Sequence, residues 1–271
     1  MYWYKVKTLL ICMFAAINVF LIVFIVQGNV RQTVAEKKEM QSLIEVLSIN
    51  DIFVDESIFS MKNPPVKTAT VENLAPSGEE MAKLMLGDGF LEEFDAIGNN
   101  YYSKDGKIVS VHGGRLYYYD GNLTGDTNIN PDVIPMISEK LKGFNIDVSK
   151  ALGEAIGDKI IYTYYFDDLP LFENTLYVKT SGETICEIGG YMIGITEGEE
   201  TKTYIAPPKS ALVSFLQDKN RSGGKKNIKF VSLGFSALLA DTDVNFKITE
   251  TIPTYKIVTD NNEVYYYDAR K

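Results

Sequence analysis

The feature that most constrains this chain is an apolar run over residues 8–26, which contains no charged side chain. At about 1.5 Å per residue, a helix of this length spans about 28 Å, close to the roughly 30 Å hydrocarbon core of a bilayer. The run therefore predicts a single transmembrane helix. Lys5 and Lys7 are the only charged residues before it. The positive-inside rule then places residues 1–7 in the cytoplasm and the C-terminal domain outside the cell.

A cleaved signal peptide is the main alternative to an uncleaved anchor. Such a peptide has a short apolar core followed by small residues at the cleavage site. Here the apolar run is long, and residues 27–31 (QGNVR) offer no such site. A lipoprotein signal is disfavoured because Ile11, and not a small residue, precedes Cys12. We therefore predict a single-pass protein of the cell membrane.

One polar side chain, Asn18, lies near the middle of the apolar run. An amide that faced lipid would leave its donors and acceptors unpaired. Steps of four and three residues place a stripe on one helix face, formed by Ile11, Ala15, Asn18, Ile22 and Ile25. We predict that this transmembrane stripe binds another helix, with Ala15 allowing close approach. The alternative is that Asn18 bonds its own backbone or a membrane defect.

Composition describes a folded acidic domain beyond the anchor. The formal net charge is −9, from 27 basic and 36 acidic residues, so the chain is not expected to bind nucleic acid. Hydrophobic residues make up 45% and aromatic residues 12%, which excludes a disordered stalk. Cys12 lies in the apolar run and Cys186 beyond it. We therefore expect no intrachain disulfide.

Hydrophobic periodicity predicts an α+β ectodomain. In its first part we expect a helix over 31–47, a short strand over 52–54, a helix from a capping box at Ser77 to Leu86, and a hairpin meander over 98–120. After a polar segment we expect a helix over 131–144, a shorter segment over 149–156, strands over 160–166, 171–179 and 184–195, a helix over 209–219, and strands over 227–239, 246–258 and 263–269.

The polar segment 121–130 is the best candidate for a boundary within the ectodomain. It would divide the chain into two helix-plus-antiparallel-meander units, 31–121 and 131–271. A weak internal echo supports this division, because residues 116–120 read LYYYD and residues 264–268 read VYYYD. Convergent strand composition explains the echo almost as well.

Residues that could carry chemistry are sparse, and we predict no enzyme, no cofactor and no metal site. His112 is the single histidine, whereas metal sites and catalytic triads need partners. The segment 241–252 begins like an EF-hand loop but lacks its sixth-position Gly and twelfth-position Glu. Ser222 and Lys225 match a Ser-x-x-Lys pattern, but in a Gly-rich loop. The acidic cluster over 92–95 is interpreted as a solvated face.

Several segments together carry a resemblance to a known family. They are residues 1–8 (MYWYKVKT), 17–21 (INVFL), 164–172 (YYFDDLPLF), 206–212 (APPKSAL), 252–258 (IPTYKIV) and 264–269 (VYYYDA). With these segments the chain resembles the YycI family of regulatory proteins of Gram-positive bacteria. It departs from the family pattern at Tyr255, where members usually carry Trp, and at Tyr4, where they often carry an acidic residue.

The resemblance implies a single-pass protein whose α+β ectodomain joins a membrane partner of similar build, YycH. Together the two would restrain a sensor histidine kinase of a two-component system that controls cell-wall metabolism, through transmembrane contacts. Two other functions remain open from the residues alone. The ectodomain could bind a wall polymer or peptide, or it could act as an inhibitory or chaperone-like domain for secreted proteins.

Overall fold

The computed structural model describes residues 37–60, 65–173, 175–237 and 248–271, together with Trp3, Lys7, Met13, Phe14, Ile17, Asn18 and Phe20. The fold is α+β, as predicted. The helices of these ranges are α1 (residues 37–49), α2 (Gly78–Leu86), α3 (Ile134–Gly143) and α4 (Pro208–Gln217). Short 3₁₀ segments span Glu56–Ser60 and Pro131–Val133.

The strands before α3 are β1 (Ile52–Phe53), β2 (Val66–Asn73), β3 (Leu91–Phe94), β4 (Asn100–Lys104), β5 (Lys107–His112) and β6 (Arg115–Asp120). Those after it are β7 (Ala151–Ile156), β8 (Lys159–Phe166), β9 (Leu169–Phe172), β10 (Leu176–Ser181), β11 (Thr184–Tyr191), β12 (Ile193–Thr203), β13 (Lys226–Ser236), β14 (Ile248–Glu250), β15 (Ile252–Thr259) and β16 (Val264–Asp268).

Two sheets contain these strands. The larger follows the order β16-β15-β13-β9-β8-β10-β11-β6-β5-β4-β3, with β1 beside β13 and β7 beside β8. The smaller has the order β12-β2-β14. Pairing is antiparallel except where β13 meets β1 and β9. The hairpins expected from the turn residues account for most neighbours, since antiparallel strands need only short connections.

Helix α2 begins and ends at the predicted residues. The Ser77 hydroxyl accepts a hydrogen bond from the Glu80 backbone N–H at 3.3 Å, and the Glu80 carboxylate accepts from the Ser77 N–H at 3.0 Å. This reciprocal capping box satisfies two end amides. Gly87, with φ of 71°, ends the helix. The helix buries Met81 and Met85 against the sheet.

The meander over 98–120 is also confirmed, and its turns explain why. Asp105 and Gly106 both have positive φ (51° and 78°), as do Gly113 and Gly114 (55° and 71°). Two consecutive positive φ values belong to the type I′ turn, whose twist matches that of the two strands it joins. The turns connect β4 to β5 and β5 to β6.

The structure differs from the sequence prediction where strands are interrupted. The expected strand over 171–179 is split into β9 and β10, because Glu173 has φ of 66° and breaks the ladder. Both parts pair with β8. The expected strand over 184–195 likewise divides into β11 and β12, which belong to different sheets. The segment 149–156 contains strand β7, so the strands return earlier than expected.

Two hydrophobic clusters lie against one face of the large sheet. One, around Phe215, Phe235 and Tyr255, joins α1, α4 and the small sheet to β13, β15 and β16. The other, around Met81 and Tyr162, joins α2 and α3 to β4, β5, β6, β8, β10 and β11. Backbone pairing crosses the segment 121–130, since β6 pairs with β11 and β2 with β12. The division into two ectodomain units stays a prediction.

Candidate functional site

The transmembrane stripe lies almost wholly outside the described residues. Of its members, the structure describes only Asn18, which is helical and exposed. The others, together with the topology residue Lys5, lie outside the described set: Ile11, Ala15, Ile22 and Ile25. Lys7 is described, with its ammonium 5.6 Å from the centre of the Trp3 ring. Among the described residues, no helix is both long enough and apolar enough to cross a membrane.

The large sheet has one face that the helices leave uncovered, which we call the outer face. In β6, Leu116 and Tyr118 point inward and are buried, whereas Arg115, Tyr117 and Tyr119 point to the opposite side and are exposed. Because side chains alternate along a strand, the neighbouring strands contribute to the same face at matched register positions. The outer face therefore extends across several strands.

Strand register aligns the outer face into two rows. The Tyr117 row runs from β7 to β5 and contains Glu154, Ile161, Tyr177, Gly189, Tyr117 and Ser110. The Tyr119 row runs from β10 to β3 and contains Lys179, Glu187, Tyr119, Ile108, Ser103 and Leu91. Each row crosses six strands and mixes aromatic and aliphatic side chains with polar and charged ones.

Tyr177 is fixed on this surface by a glycine. A Cβ at Gly189 would lie 2.4 Å from the ring of Tyr177, so the ring lies directly over the bare backbone of β11. Its hydroxyl donates to a Glu187 carboxylate oxygen at 2.8 Å, and the Lys159 ammonium lies 4.5 Å from the ring centre. Burial, followed by the hydrogen bond to Glu187, raises the pKa of Tyr177.

An ion-pair network lies beside the two exposed tyrosines of β6. The Lys179 ammonium is 3.1 Å from the Asp158 carboxylate and 3.3 Å from that of Glu187. The contact with Asp158 raises the pKa of Lys179, and the same contact lowers the pKa of Asp158. Charges paired in this way are not available for proton transfer near neutral pH. The network therefore supplies a polar rim beside Tyr117 and Tyr119.

The Ser-x-x-Lys loop contains a contact that the sequence pattern did not identify. Lys226, and not Lys225, donates from its ammonium to the Ser222 hydroxyl at 2.5 Å and to Glu263 at 2.6 Å. Glu263 also accepts from Ser222 at 2.6 Å and from Tyr265 at 2.9 Å. These hydrogen bonds, with that from Lys226 the strongest, lower the pKa of Glu263 to about 2.

The cluster of Ser222, Lys226, Glu263 and Tyr265 is suited to stabilising the fold. It is not suited to nucleophilic catalysis. A serine nucleophile needs a base to take its proton, whereas the Ser222 hydroxyl here donates to Glu263, whose lowered pKa makes it a weak base. Lys226 is buried at the first residue of β13, and Glu263 precedes the first residue of β16. The contact therefore ties together the ends of two strands of the sheet.

The remaining candidates for chemistry lie apart. His112 lies at the end of β5, opposite Arg115. Among the described residues, no group of three or more His, Cys, Asp or Glu side chains could hold a metal ion. The start of the EF-hand-like segment, residues 241–247, lies outside the described residues. Cys186 is buried, and burial raises the pKa of its thiol.

Comparison with known proteins adds a similarity to solved structures. No family model matches this chain, and no curated protein matches it. Among solved structures, YycH from Bacillus subtilis is similar to it, with 9% sequence identity and a TM-score of 0.48. The alignment covers 76% of this chain and 51% of that structure, so this chain spans about half the length of the structure that it matches. The similarity concerns backbone architecture, and no functional statement rests on it.

Proposed function

We propose that this chain is a membrane-anchored, extracytoplasmic regulator of a sensor histidine kinase that controls cell-wall metabolism. In this proposal it is not an enzyme, and it acts through protein contacts made by its transmembrane helix and its ectodomain. Its partners are the kinase and a YycH-like membrane protein. The sequence resemblance supports the choice of target, and the arrangement of the ectodomain surface supports the mode of action.

The observation that carries the proposal is the outer face of the large sheet. Tyr117 and Tyr119 are 39% and 38% exposed, although they belong to an interior strand of the sheet. Tyrosine is enriched in protein interfaces because its ring offers a large rigid contact area and its hydroxyl a hydrogen bond. The ion pairs of Lys179 supply a polar rim beside the rings. This combination is typical of a surface that binds another protein.

The transmembrane part of the proposal rests on Asn18. An interhelical amide hydrogen bond contributes roughly 0.6 to 2 kcal/mol in a bilayer. A difference of about 1.4 kcal/mol changes an equilibrium tenfold. One such contact, formed better with one state of the kinase than with the other, is enough to bias its signalling.

The experiment replaces Asn18 by Leu in the full-length protein. We expect Asn18→Leu to weaken crosslinking to the kinase complex in native membranes and to change expression of the kinase's target genes, with normal membrane insertion. Phe20→Leu, a change about half a helical turn away, is the matched control and should resemble wild type. The proposal fails if Asn18→Leu equals wild type in both measurements while an ectodomain without its helix still regulates fully.

The alternatives give different results. Saturable binding of a purified wall polymer or peptide, with kinase output unchanged when the gene is removed, would favour a binding module. Inhibition of a secreted enzyme by the protein, again with unchanged kinase output, would favour an inhibitory domain. Loss of a measurable turnover on replacing a carboxylate pair would indicate an enzyme.

A further inference from the structure

Strand β3 ends the large sheet and has an open edge. Its four residues, Leu91 to Phe94, pair only with β4 among the strands that the structure describes. All four are exposed. The backbone groups on the other edge therefore face solvent, and such an edge can accept an additional strand.

The edge strand carries exposed apolar side chains at both of its ends. Leu91 is 65% exposed and Phe94 66%, and Ile97 in the following turn is 84% exposed. Because side chains alternate, Leu91 projects from the outer face and Phe94 from the opposite face. Natural edge strands limit unwanted pairing by being short or by carrying charged residues, proline or a bulge. β3 is short and carries Glu92 and Glu93, so a partner strand must match their charge. An added strand would cover apolar groups on both sides of β3.

The charged residues of the segment that contains β3 are of one sign, while the Lys104 ammonium of β4 donates to the Asp88 carbonyl just before it. Asp88, Glu92, Glu93 and Asp95 lie within eight residues, and no Lys or Arg occurs between them. The Asp95 carboxylate is hydrogen-bonded within its own turn, where it accepts from the N–H groups of Ile97 and Asn99 at 2.9 Å. Glu92 and Glu93 form no ion pair with any basic group that the structure describes. Glu92 accepts a hydrogen bond from the neutral Asn100 side-chain amide at 3.3 Å, so both carboxylates keep a negative charge that a partner can pair with.

The order of these residues discriminates between possible partners. In a symmetric antiparallel pairing of two copies, Glu92 of one would lie opposite Glu93 of the other, and like charges in that position are destabilising. A strand with two basic residues between two apolar ones would place opposite charges across from both glutamates. It would also place apolar side chains opposite Leu91 and Phe94.

We propose that the open edge of β3 binds an extended segment of a partner protein with the pattern apolar–basic–basic–apolar. The segment adds to the sheet as an antiparallel strand next to β3. Backbone hydrogen bonds supply affinity, and Glu92 and Glu93 select the basic pattern. The inference is independent of the kinase proposal, because it specifies the chemistry of the partner strand and not its source.

The test measures binding of two synthetic probes to the full-length protein in lipid nanodiscs. One is a fluorescent ten-residue peptide with a central Val-Lys-Lys-Val, and the other has Val-Glu-Glu-Val in the same frame. Fluorescence anisotropy should show at least tenfold tighter binding of the lysine peptide, with weakening as salt is added. Hydrogen exchange should show new protection of the amides of residues 91–94.

Charge reversal provides the control. The double variant Glu92→Lys/Glu93→Lys should reverse the preference and bind the glutamate peptide more tightly. Glu45→Lys, at an exposed carboxylate on α1, should leave the preference unchanged. Circular dichroism verifies that each variant is folded. The inference is overturned if neither peptide binds, if both bind equally, if charge reversal does not change the preference, or if protection appears away from β3.

Discussion

Two strands of this molecule share almost the same sequence but direct its tyrosines to opposite faces of the sheet. Residues 116–120 of β6 read LYYYD, and residues 264–268 of β16 read VYYYD. In β6 the middle tyrosine, Tyr118, is buried and only 5% exposed, whereas the tyrosines on either side of it face solvent. In β16 the middle tyrosine, Tyr266, points away from the α4 side of the sheet, and its two neighbours point toward that side.

The contacts of β16 demonstrate the reversal. Tyr265 and Tyr267 pack edge-on against Phe215 of α4, with ring centres 5.0 and 6.4 Å apart. On the opposite face, the ring centre of Tyr266 lies 5.7 Å from that of Phe172. A shift of one residue in register moves every side chain of a strand to the other face. The two runs are thus out of phase by one position.

This difference shows that the neighbouring strands, and not the tyrosine sequence of the strand, decide which tyrosines are buried. β6 is an interior strand, and Tyr118 lies between Val109 of β5 and Ile188 of β11. β16 is an edge strand whose Tyr267 lies opposite Tyr255 of β15. The echo therefore does not mark equivalent positions, which favours convergent strand composition as its explanation.

The largest expected effect comes from removing the middle tyrosine of each run. Tyr118→Ala should lower the free energy of unfolding by about 3–5 kcal/mol, because a large buried aromatic side chain leaves a cavity. Tyr266→Ala should cost about 1–2 kcal/mol, because its side chain is partly exposed. Urea denaturation of the two variants measures the difference. Equal losses would contradict the phase reversal.

A second effect concerns the contact between Glu263 and Lys226 at the start of β16. Strand β6 has no such contact at its start among the residues that the structure describes. The folded-state pKa of Glu263 is lowered from 4.5 to about 2, so its contribution to stability is present above about pH 4.5. It is lost as the pH falls toward 2. Glu263→Gln should therefore flatten the pH dependence of stability over this range.

The control for this measurement is Glu154→Gln, an exposed carboxylate of β7. It should preserve the pH dependence of the wild type. An unchanged profile for Glu263→Gln would mean that the contact with Lys226 does not stabilise the fold.

A smaller effect distinguishes the tyrosines that flank each middle position. The Tyr267 hydroxyl donates to the Asp218 carboxylate at 2.8 Å, so Tyr267→Phe should cost about 1 kcal/mol. Tyr119 occupies the corresponding place in the β6 run and is exposed. Tyr119→Phe should change stability by less than about 0.5 kcal/mol. Similar losses in both variants would argue against different roles for the flanking tyrosines.

A change that costs little stability should have the largest effect on binding. Tyr117→Ser and Tyr119→Ser remove partly exposed rings from the outer face, and each should cost about 1 kcal/mol. If the outer face binds the kinase complex, the double variant should nevertheless lose regulation of the target genes. Normal regulation by a folded double variant would show that Tyr117 and Tyr119 are not needed for function.

Local signals made part of this fold predictable from sequence. The capping box at Ser77 and Glu80 specifies where α2 begins, and the positive-φ turn at Asp105 and Gly106 specifies a hairpin. Both signals lie within a few residues of what they determine. For the same reason the meander over 98–120 was predicted with its correct strands.

Features that depend on distant contacts were not predictable in this way. The break between β9 and β10 at Glu173 and the transfer of β12 to the second sheet reflect which strands pair, not local preference. The side chains of β6 that lie on the outer face are determined by how β6 pairs with its neighbouring strands. Lys226 meets Glu263 only after β13, β15 and β16 have assembled. The transmembrane stripe around Asn18 stays a prediction.

The most direct test of the account places a photo-crosslinking amino acid at Tyr119 of the full-length protein in native membranes. Ser214, on the exposed side of α4, is the control position. We expect position 119 to capture the histidine kinase or its YycH-like partner, identified by mass spectrometry, and position 214 to capture neither. Capture of neither protein from position 119, in a folded protein present at the wild-type level, would contradict this expectation.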